Sequence, residues 1–407
     1  MLNARTPATI SSIRRRYYAI SLGYALAGGF LVGVYPIFLR SRGLDQLRIN
    51  SLLAAYFAVT LVMDVPTGAF ADALGRRLSF LLGSGLRGAA FALYFVSHTY
   101  VLFLVAETID AVGTAFCNGA VDAWGVDALD EAGFEGAKDH LFSRVVQFSG
   151  LGLMTTAVLG ADVAGADLAW PWLLGAAGFA VCAAMSALMH RARRRTSPSG
   201  VAPLVATIAT RAVRGLRLGF GRRSVWRLSL AEGIVLAAWA PFWLEWPLLF
   251  NDSYGVGVWV VGWIFCLLSV GHMVGAEVVV RTEVEPSRRP WILAGLVLGV
   301  GGSIAAGGLL AGRPGFALGA LFLMSMCLGA REPIARTWFN EEVGAEDRAT
   351  MLSFRSTLAT VGGALGLLLG GYAVNVHGIP FRWGLAGALA SLAVPCYLSL
   401  RRRSPSP

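Results

Sequence analysis

The stretch Asp64-Val-Pro-Thr-Gly-Ala-Phe-Ala-Asp72-Ala-Leu-Gly75-Arg76-Arg77 decides the fold, because it sets a compact charged turn directly after a long, mostly apolar run. An apolar run of about twenty residues is what crosses a hydrocarbon core of about 30 Å. Acid, glycine and paired arginines then turn the chain, and a second apolar run begins at Leu78. The stretch predicts a cytoplasmic hairpin between two membrane helices.

Outward from that hairpin the pattern recurs. The 407-residue chain is 56% hydrophobic, only 14% charged, and holds 50 glycines, too little polar surface to cover a water-exposed globule. Spanning windows are read at 16–38, 48–70, 78–97, 100–122, 142–164, 171–190, 227–250, 257–280, 290–311, 315–336, 350–373 and 382–400. Arg5, Arg14, Arg15 and Arg16 precede the first window and Arg401, Arg402 and Arg403 follow the last. The positive-inside rule therefore expects a multi-pass protein of the cell membrane with both termini cytoplasmic. The net charge of +10 reads as an orientation signal and not as a nucleic-acid surface. No cleavable leader is expected, since the first apolar run is too long and lacks a small-residue cleavage site.

One break divides the chain. Residues 191–225 are basic and contain Pro, Ser and Gly, so the expected organisation is a six-helix bundle over 1–190, a basic cytoplasmic linker over 191–225 and a second bundle over 226–407. Within the linker, Arg211, Arg214 and Arg217 alternate with apolar residues, which suits either a short helix on the membrane surface or a solvated linker that sets topology. The halves resemble each other. Leu141-Phe-Ser-Arg144 is echoed by Leu352-Ser-Phe-Arg355, Trp170-Pro-Trp172 by Phe381-Arg-Trp383, and Gly75-Arg-Arg by Ser287-Arg-Arg. The fold class expected is an all-α membrane protein of twelve transmembrane helices in two pseudo-symmetric six-helix bundles. Duplication of this kind builds many secondary transporters, with the substrate site between the halves.

Gly68-Ala-Phe-Ala-Asp72-Ala-Leu-Gly75-Arg76-Arg77 resembles the signature loop between the second and third helices of the major facilitator superfamily, here preceded by Asp64-Val-Pro-Thr. Span count, central linker and repeat extend the resemblance over the whole chain. It implies two bundles rocking about a central cavity. It also implies that Gly68 permits close helix packing, that Asp72 locks the cytoplasmic face by pairing with helix ends or arginines, that Gly75 makes the turn, and that Arg76 and Arg77 bind acidic partners and lipid head groups. Asn118-Gly-Ala-Val-Asp122-Ala-Trp124-Gly-Val-Asp127 is similar to a fourth-helix pattern of bacterial efflux-type members. Two departures stand against drug export. The acid Glu107 stands where exporters carry arginine, and Gly150 to Gly160 lacks the proline of their fifth helix.

Charges at membrane depth cost about 2.5–3.5 kcal/mol each by insertion scales and so mark candidate sites. Glu107 and Asp110 share one face of the fourth span, where two carboxylates repel and one tends to stay protonated, as a proton-coupling group must. Arg87 and Arg144 are candidate partners that would neutralise them. Glu232, Glu245, Arg331 and Glu332 are the corresponding groups of the second half. Adjacent on a helix, Arg331 and Glu332 point in different directions and each needs its own partner. Asp64, Asp122, Asp127, Glu277 and Arg336 lie nearer the inner face; with Arg144 and Arg355, the first three complete the expected conformational latch. Tyr24, Tyr56 and Trp239 either line a cavity for an amphipathic substrate or pack in the core. His272, the only histidine deep in a span, reads as a hydrogen-bonded packing residue. The five cysteines lie singly in spans and read as small packing residues, with no metal-ligand spacing.

No P-loop, His-Glu-x-x-His or Gly-x-Ser-x-Gly pattern occurs, which argues against direct ATP coupling and against an enzyme. The expected function is a proton-coupled exporter of small amphipathic compounds, in the inner membrane of a bacterium. It would use no cofactor or metal and would act as a monomer among membrane lipids. A lipid or lysolipid flippase, an importer, and a membrane-embedded enzyme using Glu107 and Asp110 remain the alternatives.

Overall fold

The computed structural model describes residues 9–136, 138–189, 215–344 and 346–400. The linker positions 191–214, including Arg211 and Arg214, and the terminal arginines Arg5 and Arg401 to Arg403 lie outside the described residues.

Twelve helices among the described residues are long and apolar enough to cross a membrane. They are α1 (Ile10–Ser41), α2 (Gln46–Leu74), α3 (Arg76–Val96), α4 (Tyr100–Glu131), α5 (His140–Ala164), α6 (Trp170–Leu188), α7 (Arg223–Ser253), α8 (Trp259–Thr282), α9 (Pro286–Leu309), α10 (Pro314–Glu342), α11 (Thr350–His377) and α12 (Ile379–Leu398). Each expected window falls on one of them. A helix bonds most of its backbone polar groups within itself, which is what hydrocarbon demands of a span. The outward surfaces carry apolar side chains such as Leu309, Val280, Val146 and Leu369, as lipid-facing helices do. No strand occurs among the described residues.

The chain folds as two compact units. The first holds the chain up to Phe38, Val59 to the end of α6, and Val258–Gly262. The second holds Leu39–Ala58 and most of α7 to α12. In the first unit α1 packs on α5 and α6, and α3 on α4 and α6. In the second unit α7 packs on α11 and α12, and α9 on α10 and α12. The pairing scheme recurs in α1 to α6 and in α7 to α12, two pseudo-symmetric sets of six helices, although the first part of α2 clusters with the second unit and the start of α8 with the first.

Glycine sets close crossings in the matching helix pairs α1–α5 and α7–α11. A Cβ on Gly160 of α5 would sit 2.0 Å from the Phe30 carbonyl oxygen of α1, and one on Gly366 of α11 would sit 2.2 Å from the Ala237 oxygen of α7. Neither position admits a side chain, so the repeated glycines of the fifth and eleventh spans let the helix backbones touch. At Gly75 the reason is conformational. Its φ of 105° lies in a region L side chains avoid, and it caps the start of α3.

Candidate functional site

In the first unit, Glu107 and Asp110 project from α4 and are both buried. They meet different neighbours. Asp110 forms an ion pair with Arg87 of α3, Nε to Oδ1 at 2.8 Å, and Nη2 approaches Oδ2 at 3.4 Å. Arg87 also donates from Nη1 to the Tyr24 hydroxyl at 2.7 Å, and its guanidinium lies 4.2 Å from the Phe179 ring centroid. Asp110 is thereby neutralised. Glu107 instead accepts hydrogen bonds on Oε2 from the Tyr94 hydroxyl and, at 3.2 Å, from the Tyr35 hydroxyl. The Tyr94 ring stacks on Trp172 with centroids 3.9 Å apart and a 9° interplanar angle, which fixes where its hydroxyl points. Glu107 makes no ion pair among the described residues.

The charged hairpin between α2 and α3 is more local than expected. Asp72 near the end of α2 pairs at 2.6 Å with Arg76, the first residue of α3, across the Gly75 turn, and both are partly exposed. Arg77 is half-buried. Gly68 corrects an expectation, since nothing lies within 4 Å of where its Cβ would be and it serves no close helix packing. Asn118 donates to Asp64 at 3.1 Å and Tyr17 donates to Asp122 at 2.6 Å, while Asp127 is half-buried. Arg144 neither pairs with Glu107 or Asp110 nor makes any ion pair among the described residues; it is exposed, and Arg87 of α3 pairs with Asp110 instead.

In the second unit two acid–arginine clusters are buried. Glu245 of α7, fully buried, pairs with Arg382 of α12 at 2.9 Å and accepts from Trp383 Nε1 at 2.9 Å. Arg382 also donates to the Ala238 carbonyl at 3.3 Å. Glu232 of α7 receives two arginines on Oε2, Arg331 of α10 at 2.6 Å and Arg355 of α11 at 3.0 Å. Arg355, read from the sequence as a latch residue, thus joins Glu232 and Arg331. Adjacent Arg331 and Glu332 do face apart, for Glu332 pairs with Arg336 at 3.0 Å and lies 3.8 Å from His272 Nε2. His272 is about half exposed, as Glu332 is, so it is no core packing residue. Tyr56 and Trp239 are half-buried, Trp239 with its ring centroid 5.6 Å from that of Trp243.

The sequence reading passed over Tyr35, Tyr94, Arg382 and Tyr397. Arg382 carried a signal, an arginine within an apolar span; the tyrosines carried none, since aromatic residues are common in such spans. No group of three or more His, Cys, Asp and Glu suited to a metal occurs among the described residues. Cys117 and Cys182 are buried, and all five cysteines are free.

No family model and no curated protein sequence matches the chain. Solved structures do. A point mutant of the nucleoside transporter NupG superposes with a TM-score of 0.78 at 10% identity, covering 96% of this chain and 100% of that one. The human organic anion transporter MFSD10 (TETRAN) gives a TM-score of 0.64 at 16% identity, over 95% and 99% of the two chains. A bacterial homolog to the human lysosomal transporter Spinster, in an inward-facing and unoccupied conformation, gives 0.71 at 15% identity, over 98% and 99%. At these identities the likeness establishes the fold alone.

Proposed function

We propose that this chain is a proton-coupled secondary transporter of small amphipathic compounds, working by alternating access in the export direction that the efflux-type sequence pattern implies. Its functional bundles are 1–190 and 226–407, joined by the basic segment 191–225, in a monomer of the cell membrane with both termini in the cytoplasm. The neighbours in fold are named as transporters of chemically different compounds, which supports transport and leaves the cargo to the residues.

One observation carries the proton assignment. Glu107 is a buried carboxyl with two tyrosine hydroxyls and no ion pair among the described residues, whereas Asp110 beside it is held by Arg87. A buried charge without a counter-charge is costly, and a carboxyl in that setting takes up a proton. Glu107 is the proton-binding group, and Arg87 with Asp110 is the fixed ion pair that positions α3 against α4. The latch role of Asp72, Gly75, Arg76 and Arg77 is part of the same proposal, with Asp64 of α2 and with Asp122 and Asp127 of α4.

The test is a pH jump across everted vesicles or proteoliposomes with a panel of amphipathic compounds. Glu107→Gln is expected to abolish pH-driven accumulation while leaving energy-independent exchange of the same compound. Undiminished pH-driven accumulation by that variant would eliminate the assignment.

A further inference from the structure

Among the described residues the cluster of Glu232, Arg331, Arg355 and Tyr397 is the one buried cluster in which cations outnumber acids. Arg331 and Arg355 share a single carboxylate oxygen. The fourth member is a phenol, the Tyr397 hydroxyl, 3.3 Å from Arg331 Nη2. The other buried pairs, Arg87 with Asp110 and Arg382 with Glu245, are one to one. One positive charge is therefore in excess.

The excess sits at hydrocarbon depth. The 30-residue helix Arg348–His377 is about 45 Å long, so Arg355 lies about 10 Å along it and inside a hydrocarbon core of about 30 Å centred on that helix. The charge is costly there unless something answers it.

The geometry leaves a place for the answer. Arg355 spends one amino group on Glu232 and lays its guanidinium over the Phe339 ring at 5.2 Å. Its other N–H donors meet no acceptor among the described residues and keep solvent access. A guanidinium anchored at one edge and free at the other presents the fork that matches a carboxylate or phosphate. The register match in the first half, Arg144, is exposed and makes no ion pair among the described residues, so this use of the arginine belongs to the second unit and is not a generic product of the repeat.

We infer that the Arg331–Arg355–Glu232 cluster is an anion-binding subsite whose free Arg355 edge takes the carboxylate or phosphate group of the transported compound. This rests on the transporter reading above and narrows its substrate class to acidic amphipathic molecules. Glu232 holds the two arginines in place and competes with the arriving anion for them.

The test uses the full chain in phosphatidylcholine nanodiscs at constant ionic strength, reading the thermal unfolding midpoint against benzoate, phenyl phosphate and the neutral isostere benzamide. A saturable upward shift with the two anions and none with benzamide is expected. Arg355→Gln, which leaves Arg331 and Glu232 as a neutral pair, should weaken apparent affinity about tenfold, the scale of one lost charge-assisted hydrogen bond. Arg288→Gln, an exposed arginine outside the cluster, should not change it. Glu232→Gln should act in the opposite direction, with a lower starting midpoint and a larger anion shift, so the idea stays testable if Arg355→Gln does not fold. An anion shift untouched by both cluster variants, or no shift at all, overturns the subsite. A shift produced by phosphatidylglycerol nanodiscs but by neither soluble anion would assign the same chemistry to a lipid head group and overturn the substrate assignment. Glu107→Gln should keep the anion shift, so failure of the proton reading and failure of this one are separable.

Discussion

Asp110→Asn and Glu107→Gln are the same chemical change one helical turn apart, and the structure predicts losses of stability of very different size. Removing the Asp110 charge strands Arg87, whose side chain is only 13% exposed. Breaking a buried ion pair from one side costs about 3–5 kcal/mol. The Phe179 and Tyr24 rings around the guanidinium are there before and after the change, so they do not offset that loss. Glu107→Gln strands nothing. The amide oxygen still accepts from Tyr35 and Tyr94, so the expected loss is about 1 kcal/mol or less. A gap of about 2 kcal/mol is more than tenfold in the unfolding equilibrium.

Unfolding in mixed micelles, driven by added SDS and followed by tryptophan fluorescence, measures that gap. The double variant Arg87→Met with Asp110→Leu should recover most of the loss, because replacing both ions by apolar groups of similar size leaves no buried charge. Equal destabilisation by Glu107→Gln and Asp110→Asn would refute the reasoning, since it would mean that Glu107 is also held as a paired ion. A fully stable Asp110→Asn protein would refute it from the other side.

Three further outcomes follow from other parts of the molecule. Gly362→Leu and Gly366→Leu should each deplete the monodisperse folded peak on size exclusion, since their Cβ atoms would lie 2.3 Å and 2.2 Å from carbonyl oxygens of α7 and overpacking costs about 1–3 kcal/mol or more; Gly150→Leu, with nothing within 4 Å, should be silent. Asp45, just before α2, has its carboxyl held below the usual value. Burial pushes it up, but the Arg48 amide, the Asn375 side chain and the Arg48 charge outweigh that. Its contribution is therefore present above about pH 4, the unfolded value, and is lost as pH falls through the lower folded value. Protection factors over residues 39–58, referenced to the intrinsic exchange rate at each pH, should fall on acidification in the wild type, and Asp45→Asn should show the lower protection at neutral pH already. Finally, Cys117 and Cys182, both buried, should resist a maleimide in the folded protein and react once SDS unfolds it.

The helices were legible because the requirement is local. A run of apolar residues long enough for the hydrocarbon, ended by charge and glycine, declares itself without reference to any neighbour, and the repeated Leu-x-x-Arg starts at 141 and 352 disclosed the duplication. The conformation of Gly75 was legible for the same reason. Candidate charges were legible too, since Arg87, Glu107, Asp110, Glu232, Glu245 and Arg331 interrupt apolar runs. Their partners were not. Gly68 and Gly366 look alike in sequence, yet one faces open space and the other a backbone at 2.2 Å, because rotation of a helix about its axis is set by what it packs on.

The sequence by itself determined the number of membrane helices, their duplication and the set of charges that need a reason to lie at depth, all consequences of transfer free energy summed along short windows. Only the tertiary structure decided which of those charges are cancelled. Helices three and four bring Arg87 to Asp110 and leave Glu107 to two tyrosines. Helices seven, ten and eleven bring two arginines to one glutamate. A Coulomb interaction depends on the distance between groups far apart in the chain, and that distance exists only after the helices have packed.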